Sequence, residues 1–162
     1  DPTKIELGSN VRIDSFVTIT TGESGYLIIG SNTHIADGVR ISAAGGVHIG
    51  EYVGLASKVV ILSSSDDYSG EFMVGPLSPK GTAGGTQGKV SLEDFVLVGT
   101  ASVVFPGRTL HEGVSVGALS LVNRDLHEWG VYFGVPVKRL YPRSREMLKK
   151  LEKHIAAKKD EA

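Results

Sequence analysis

Asp66 and Asp67 stand side by side in the stretch Ser65-Asp66-Asp67-Tyr68, and they are the sharpest chemical feature of the chain. A carboxylate pair can hold an ammonium group. One member can also take up a proton if burial and its charged neighbour raise its pKa. The plainer reading is a turn in a serine-rich loop. Tyr68, Glu71 and Phe72 follow directly and would shape a binding pocket, the two aromatic rings stacking on a sugar or a base. Lys80 and Lys89 offer contact to a phosphate, although the glycine-rich run from Gly81 to Gly88 lacks the lysine-serine or lysine-threonine ending of a phosphate loop. The other proton carriers are five histidines, His34, His48, His111, His127 and His154. Cysteine is absent, which excludes disulfides, thiolate metal sites and a thiol nucleophile. No serine elbow marks a hydrolase.

The scaffold that must position these groups is legible as a period of six. Ile, Leu or Val recurs at Leu7, Ile13, Ile19; Ile29, Ile35, Ile41; Ile49, Leu55, Ile61; Leu92, Val98, Val104; and Leu110, Val116, Val122. All 15 positions hold one of these types, which make up only 43 of 162 residues, so chance does not explain the pattern. A second inward position precedes each by two, as at Val39, Val53, Val59, Val96 and Val114, with Thr33, Ser102 and Ser120 as smaller members. Six fits a short strand followed by a tight corner, and three of each make an 18-residue triangular coil. Coils stacked about 4.8 Å apart pair their strands in parallel, and five coils would stand roughly 20–25 Å tall. No coil can bury its own aliphatic column, so neighbours must stabilise it. Corners need positive φ, which glycine, asparagine and aspartate tolerate, as in Gly8-Ser9-Asn10, Gly30-Ser31-Asn32, Asp37-Gly38, Gly50, Gly99, Gly107, Glu112-Gly113 and Gly117, and this accounts for the 21 glycines.

Small insertions interrupt the period at 23–28 and 43–48, and a large one does so from Ser63 to Ser91. That excursion, rich in Gly, Ser, Thr and Pro, reads as a functional loop leaving a rigid scaffold. From Arg143 to Lys159, Met147, Leu148, Leu151 and Ile155 share one helical stripe, with Pro142 and Ser144 marking the start. The expectation is an all-β solenoid over 1–140, with its excursion at 63–91, then an amphipathic helix and tail over 141–162. The helix would cover part of the prism or a neighbouring chain. The 17 basic residues nearly cancel the 18 acidic ones, so no nucleic-acid or membrane surface is advertised. No apolar run approaches membrane-spanning length and the first residues lack a signal pattern, so a soluble cytoplasmic protein is expected. A first residue other than methionine, Asp1, suggests trimming at the start.

These features resemble the hexapeptide-repeat acyltransferase superfamily, whose fold is a left-handed parallel β-helix. Two motifs sharpen the resemblance: Val116-Gly117-Ala118-Leu119-Ser120-Leu121-Val122 is similar to the family's "IGAGSVV" coil, and Gly134-Val135-Pro136-Val137-Lys138-Arg139-Leu140 resembles its closing "GxPAKxI" segment. The central loop followed by Gly88-Lys89-Val90 looks like the galactoside, maltose and polysaccharide acetyltransferase branch. The resemblance implies a homotrimer with its active site in a groove between subunits, transferring an acyl group from acetyl-CoA to a hydroxyl or an amine, with no metal. It further implies that main-chain amides near Gly99, Thr100, Gly117 and Ala118 bind the pantetheine arm, and that Lys138 and Arg139 lie near the cofactor's phosphates.

One departure matters. The branch carries a histidine base in an "NHDY"-like stretch of the central loop, and here Asp66 stands in its place with no histidine in the loop. Three explanations stay open. The acceptor is a sugar amine held by Asp66 and Asp67, or Asp66 is itself the base, or a histidine arrives across a subunit interface. His34 is the first candidate for that histidine and His48 the second. The outward row Thr18, Arg40, Val60, Val103, Leu121 is apolar enough for subunit contact, while Arg12, His34, Gly54, Leu97, Ser115 leaves room for a ligand at its small middle residue. The leading reading is an acyltransferase acting on a nucleotide-linked amino sugar in surface-polysaccharide biosynthesis, with a sugar O-acetyltransferase as the alternative. A non-catalytic scaffold is a further alternative, and a zinc hydratase lacks a third suitably spaced histidine.

Overall fold

The computed structural model describes residues 1–75 and 77–160. A short 3₁₀ turn at Pro2–Lys4 leads into a left-handed parallel β-solenoid of about six turns. The first turn holds β1 (Ile5–Leu7), β2 (Arg12–Ile13) and β3 (Thr18–Thr20), and the second β4 (Leu27–Ile29), β5 (His34–Ile35) and β6 (Arg40–Ser42). The third holds β7 (Val47–Ile49), β8 (Gly54–Leu55) and β9 (Val60–Leu62), after which β10 (Ser64–Asp66) and β11 (Gly85–Gln87) form an antiparallel arm. The fourth turn is β12 (Val90–Leu92), β13 (Leu97–Val98) and β14 (Val103–Val104), and the fifth β15 (Thr109–Leu110), β16 (Ser115–Val116) and β17 (Leu121–Val122). Stacking yields three parallel faces, ordered β1-β4-β7-β12-β15, β2-β5-β8-β13-β16 and β3-β6-β9-β14-β17.

The prism does not stop at Val122. Leu126 bridges to Leu110, and β18 (Gly130–Phe133) adds in parallel to β16. Leu126 and Tyr132 are buried and again six residues apart, so the period resumes after a slip. β19 (Lys138–Pro142) folds back antiparallel on β18 and widens the second face to seven strands. The excursion is shorter than 63–91. Ser63 is buried and its hydroxyl is bonded to Ser42 O and Gly45 N, while Val90 and Ser91 already pair with Val47 and His48.

Every hexad residue from Ile29 to Val122 is at most 1% exposed, forming one continuous column. Each such Ile, Leu or Val contributes about 1.5–3 kcal/mol by leaving water. Leu7 and Ile13, in the outermost turn, are 53% and 41% exposed because a coil covers them on one side only. The small inward residues are satisfied: Thr33 Oγ1 donates to Gly50 O at 3.0 Å, and Ser102 Oγ donates to Gly117 O at 2.8 Å.

The corners depart from the glycine expectation. Gly38, Gly107 and Gly113 do have positive φ, but Gly8, Gly30, Gly50, Gly99 and Gly117 do not. Asn10 and Asn32 carry positive φ as expected, and it falls also on bulky residues including Tyr52, Phe95, Leu119 and Trp129. Such a conformation costs an ordinary residue about 1–2 kcal/mol. Stacking offsets it along one corner, where the Tyr52 and Phe95 rings lie 5.3 Å apart at 10° and Trp129 follows at 6.3 Å.

Helix α1 (Glu146–Asp160) starts as expected, with Ser144 Oγ accepting from Glu146 N at 3.3 Å. Its apolar stripe does not enter this chain's core: Leu148 and Leu151 are half-buried, and Met147 and Ile155 are exposed. Arg145 sits 4.9 Å over the Trp129 ring and ties the segment to the prism. The expected tail's last two residues, 161–162, lie outside the described residues. No helix among the described residues is long and apolar enough to cross a membrane.

Candidate active site

Parallel stacking brings Arg12, His34, Gly54, Leu97 and Ser115 into one outward row on the second face. Around Gly54 lies a concavity of about 320 Å³, walled by His34, Leu97, Ala36, Ala56, Ser57 and Thr100. It exists because the middle of the row has no side chain: a Cβ on Gly54 would come within 3.2 Å of Leu97 Cδ1. At its rim Asp14 joins two neighbours. Its Oδ1 accepts from Arg12 Nε at 2.7 Å, and its Oδ2 lies 2.7 Å from His34 Nε2. The Arg12 bond first, and the His34 bond second, hold the Asp14 carboxyl below its usual range. A carboxylate only accepts, so in neutral His34 the ring proton sits on Nε2 and Nδ1 is the free acceptor.

The corner beyond this concavity carries small residues in register, and its amides divide into two kinds. Gly99 N donates to Val116 O and Gly117 N to Tyr132 O, both at 2.8 Å, so these two amides are consumed by the ladder between coils. They are not available to a pantetheine arm, contrary to expectation. Gly117 is glycine for another reason: a Cβ there would stand 1.8 Å from the Phe133 ring. The Thr100 and Ala118 amides donate to no group among the described residues and remain open to a ligand. Lys138 and Arg139 lie exposed on β19, three strands beyond β13 on the same face and so about 14 Å along the groove.

The arm leaves the opposite corner of the prism. Its later half is held by pairing with Ser64–Asp66 and by hydrogen bonds between Met73 and both Thr82 and Gly84, which gives the glycine-rich stretch a fixed course. Asp67 shapes the turn: its oxygens accept from Ser69 Oγ at 2.8 and 2.9 Å and from Gly70 N at 2.9 Å. The Ser69 hydroxyl, and then backbone amides, hold the Asp67 carboxyl below its ordinary value. That direction is opposite to what a proton acceptor at neutral pH needs.

Asp66 has a different setting. It lines a second concavity of about 160 Å³ with Ser65, Tyr68 and Thr86 from the arm and Phe105, Pro106 and Arg108 from the corner after β14. The single hydrogen bond to its carboxylate among the described residues is a long one, 3.4 Å from Gly75 N to Oδ1. Tyr68 is thus beside Asp66 as expected, whereas Glu71, Phe72 and Lys80 are not in this concavity. Phe72 packs over Gly84 instead, and Lys80 sits in the turn at the arm's tip. His34 and Asp66 line separate concavities that share no residue. His48 faces outward on the first face, paired between Ile28 and Ser91. Phe105 and Arg108 were missed because they lie 39 and 42 residues from Asp66, beyond the end of the loop. The hexad register itself held the signal, since Val60 stacks on Val103 and Ile61 on Val104, bringing the corner after β14 under the arm's root.

No protein-family model matches this sequence. The chain is 38% identical over 144 residues to dTDP-4-amino-4,6-dideoxy-D-glucose acyltransferase of Escherichia coli, covering 89% of this chain and 74% of that protein. The chain belongs to the hexapeptide-repeat acyltransferase family. It shares 31% identity over 136 residues with a putative lipopolysaccharide biosynthesis O-acetyl transferase of E. coli strain K12, covering 81% of this chain and 65% of that protein. Among solved structures it matches AntD, an N-acyltransferase from Bacillus cereus in complex with dTDP and 3-hydroxybutyryl-CoA. The TM-score is 0.91 at 32% identity, covering 98% of this chain and 83% of that one. AntD also exists, with one serine replaced, in complex with dTDP-4-amino-4,6-dideoxyglucose and coenzyme A. As a hexapeptide-repeat acyltransferase the chain is a coenzyme A-dependent enzyme of the class that includes both N- and O-acyltransferases. The free amides of Thr100 and Ala118, the small-residue groove and the Lys138–Arg139 pair fit a long, anionic thioester of that kind. Among the described residues no cluster of His, Asp and Glu could hold a metal ion.

Proposed function

We propose that this chain transfers an acyl group from a coenzyme A thioester to the amine of a nucleotide-linked amino sugar, in a groove completed by a second copy of the chain within a homotrimer. The observation that carries this is Asp66, a carboxylate without an ion-pair partner among the described residues, set in a concavity beside Tyr68. It stands where an alcohol-acylating relative would keep a histidine. An ammonium group satisfies such a carboxylate, and a sugar amine, once neutral, is nucleophile enough to need no strong base. The acceptors of the E. coli relative and of AntD support the same choice.

The thioester lies along the second face, its pantetheine arm on the Thr100 and Ala118 amides and its phosphates toward Lys138 and Arg139. The amine attacks the thioester carbonyl, a C–N bond forms, the C–S bond breaks, and the proton lost by nitrogen ends on the leaving sulfur. No covalent enzyme intermediate is needed. Asp66 orients the amine and Tyr68 flanks the sugar ring. Asp67 acts by holding the turn rather than by touching the acceptor, while Glu71, Phe72 and Lys80 reach it only from the arm of a neighbouring copy. Exposed Phe72, Met73, Val74 and Leu77 on that arm, with the half-exposed stripe of α1, are apolar surface suited to such an interface. We place the reaction in the cytoplasm and its product in surface-polysaccharide biosynthesis, in keeping with the lipopolysaccharide relative.

A sugar hydroxyl is the second reading, favoured by the Asp14–His34 pair. An imidazole oriented by a carboxylate through one nitrogen, with the other free, is built to take a proton from an alcohol. A panel of amino and hydroxy sugars, free and nucleotide-linked, assayed with acetyl-CoA for thiol release separates the two. With an amine acceptor, Asp66→Asn should lower turnover at least about tenfold through loss of a charge-assisted contact, while His34→Asn leaves it nearly unchanged. The reverse pattern, with hydroxyl acceptors preferred, would replace the amine reading by the alcohol one.

A further inference from the structure

The concavity beside the arm holds two opposite charges that ignore each other. Asp66 and Arg108 both line its 160 Å³, yet no oxygen of the one lies within 4.0 Å of a nitrogen of the other. Arg108 is anchored through its Nε, which donates to Pro106 O at 3.0 Å, and its two Nη atoms make no hydrogen bond among the described residues. A guanidinium held by one edge with the other edge free is pre-organised to receive a two-oxygen anion in bidentate fashion. Phe105 and Tyr68 supply apolar walls beside it. Adjacent unpaired charges of opposite sign are complementary to a ligand that carries a positive group toward the carboxylate and a negative one toward the guanidinium.

We infer that Arg108 is a specificity-determining residue that seats the diphosphate of the acceptor, while Asp66 holds the amine at the far end of the same sugar. The inference rests on the amino-sugar reading above and deepens it. The concavity measures the sugar between its two charged ends, so an acceptor lacking the diphosphate loses the Arg108 contact and one lacking the amine loses the Asp66 contact. Coenzyme A also carries a diphosphate, and the shared chemistry is a pair of phosphoryl groups. The acceptor is the source assigned here because Lys138 and Arg139 lie on β19 of the second face, whereas Arg108 lies at the corner joining the third face to the first.

The test is titration calorimetry of the whole protein with thymidine 5′-diphosphate and, separately, with coenzyme A. Arg108→Gln should weaken the nucleotide roughly ten- to hundredfold and leave coenzyme A within about twofold. Asp66→Asn should leave the sugar-free nucleotide unchanged but weaken the amine-bearing nucleotide sugar. Unchanged nucleotide affinity in Arg108→Gln overturns the assignment, as does weakened coenzyme A binding with the nucleotide kept, which would give Arg108 to the thioester. If Arg108→Gln loses both ligands, Arg108→Lys decides. Weakened nucleotide with coenzyme A retained supports the seat, and any other pattern overturns it. The reaction stands or falls separately: acyl transfer to a free amino sugar as fast as to the nucleotide-linked one keeps the amine chemistry and removes the diphosphate seat.

Discussion

Gly117→Ala separates two reasons for a glycine in this fold. Gly117 has ordinary φ, so alanine meets no backbone strain, yet its Cβ would stand 1.8 Å from the Phe133 ring. Carbon atoms in contact sit about 3.5–4.0 Å apart, so the ring must move by about 2 Å. Phe133 is already 43% exposed, and lifting it off surrenders the remainder of its burial. About half of the ~3 kcal/mol that full burial of a phenylalanine contributes is at stake. With strain in the neighbouring strand the expected loss is about 2 kcal/mol, a fall in Tm of about 4–8 °C at this chain length. The assay is a double-mutant cycle with Phe133→Ala, followed by urea and thermal unfolding, alongside coenzyme A titration of each variant. Once the ring is gone, the three atoms nearest the added methyl are gone with it, so Gly117→Ala should cost much less in that background and the coupling should reach about 1 kcal/mol or more. Coenzyme A affinity should survive, because the Gly117 amide is spent on Tyr132 O. Additive losses, or lost coenzyme A binding at unchanged stability, would refute the packing argument.

Two further outcomes follow from the site's supports. Asp67 has a depressed pKa in the folded arm, so its stabilisation of the turn is complete above its ordinary value of 3.8 and is lost as pH falls through the lower folded value. Proteolytic nicking of the arm should therefore increase below about pH 4, and Asp67→Asn should remove that pH dependence; an unchanged profile in the variant would assign the effect elsewhere. Arg143 Nη1 donates to Phe95 O at 2.7 Å, Gly113 O at 3.0 Å and Val114 O at 3.4 Å, joining the C-terminal segment to two coils. Burial pushes its pKa down without removing the charge. Arg143→Met keeps the stem and drops these bonds, and should destabilise by about 1.5–3 kcal/mol in urea unfolding; a midpoint equal to the parent's would show the bonds contribute nothing.

The period of six carried the architecture because each inward position has one requirement, an aliphatic side chain with coils on both sides. The slip after Val122 hid the sixth turn, since tyrosine at Tyr132 is no aliphatic and the next inward residue, Val137, follows after five residues rather than six. Corner chemistry was less legible. Positive φ at Phe95 or Leu119 contradicts local preference and is sustained by neighbours one coil away, which no short sequence window contains. In the site, the row through His34 and Gly54 followed from register alone, and Asp66 from its place in the loop. The partners did not: Asp14 bridges to His34 across 20 residues, and Arg108 reaches the arm's root through strand stacking.

By itself the sequence determined the prism, its interruption and the placing of the adjacent Asp66 and Asp67 in a loop without histidine, because periodicity and residue type are local properties. Tertiary structure alone decided which amides remain free, which of two adjacent aspartates is committed to a turn, and where two unpaired opposite charges face one cavity. Those are facts about hydrogen-bond partners contributed by other coils, and they exist only once the coils have stacked.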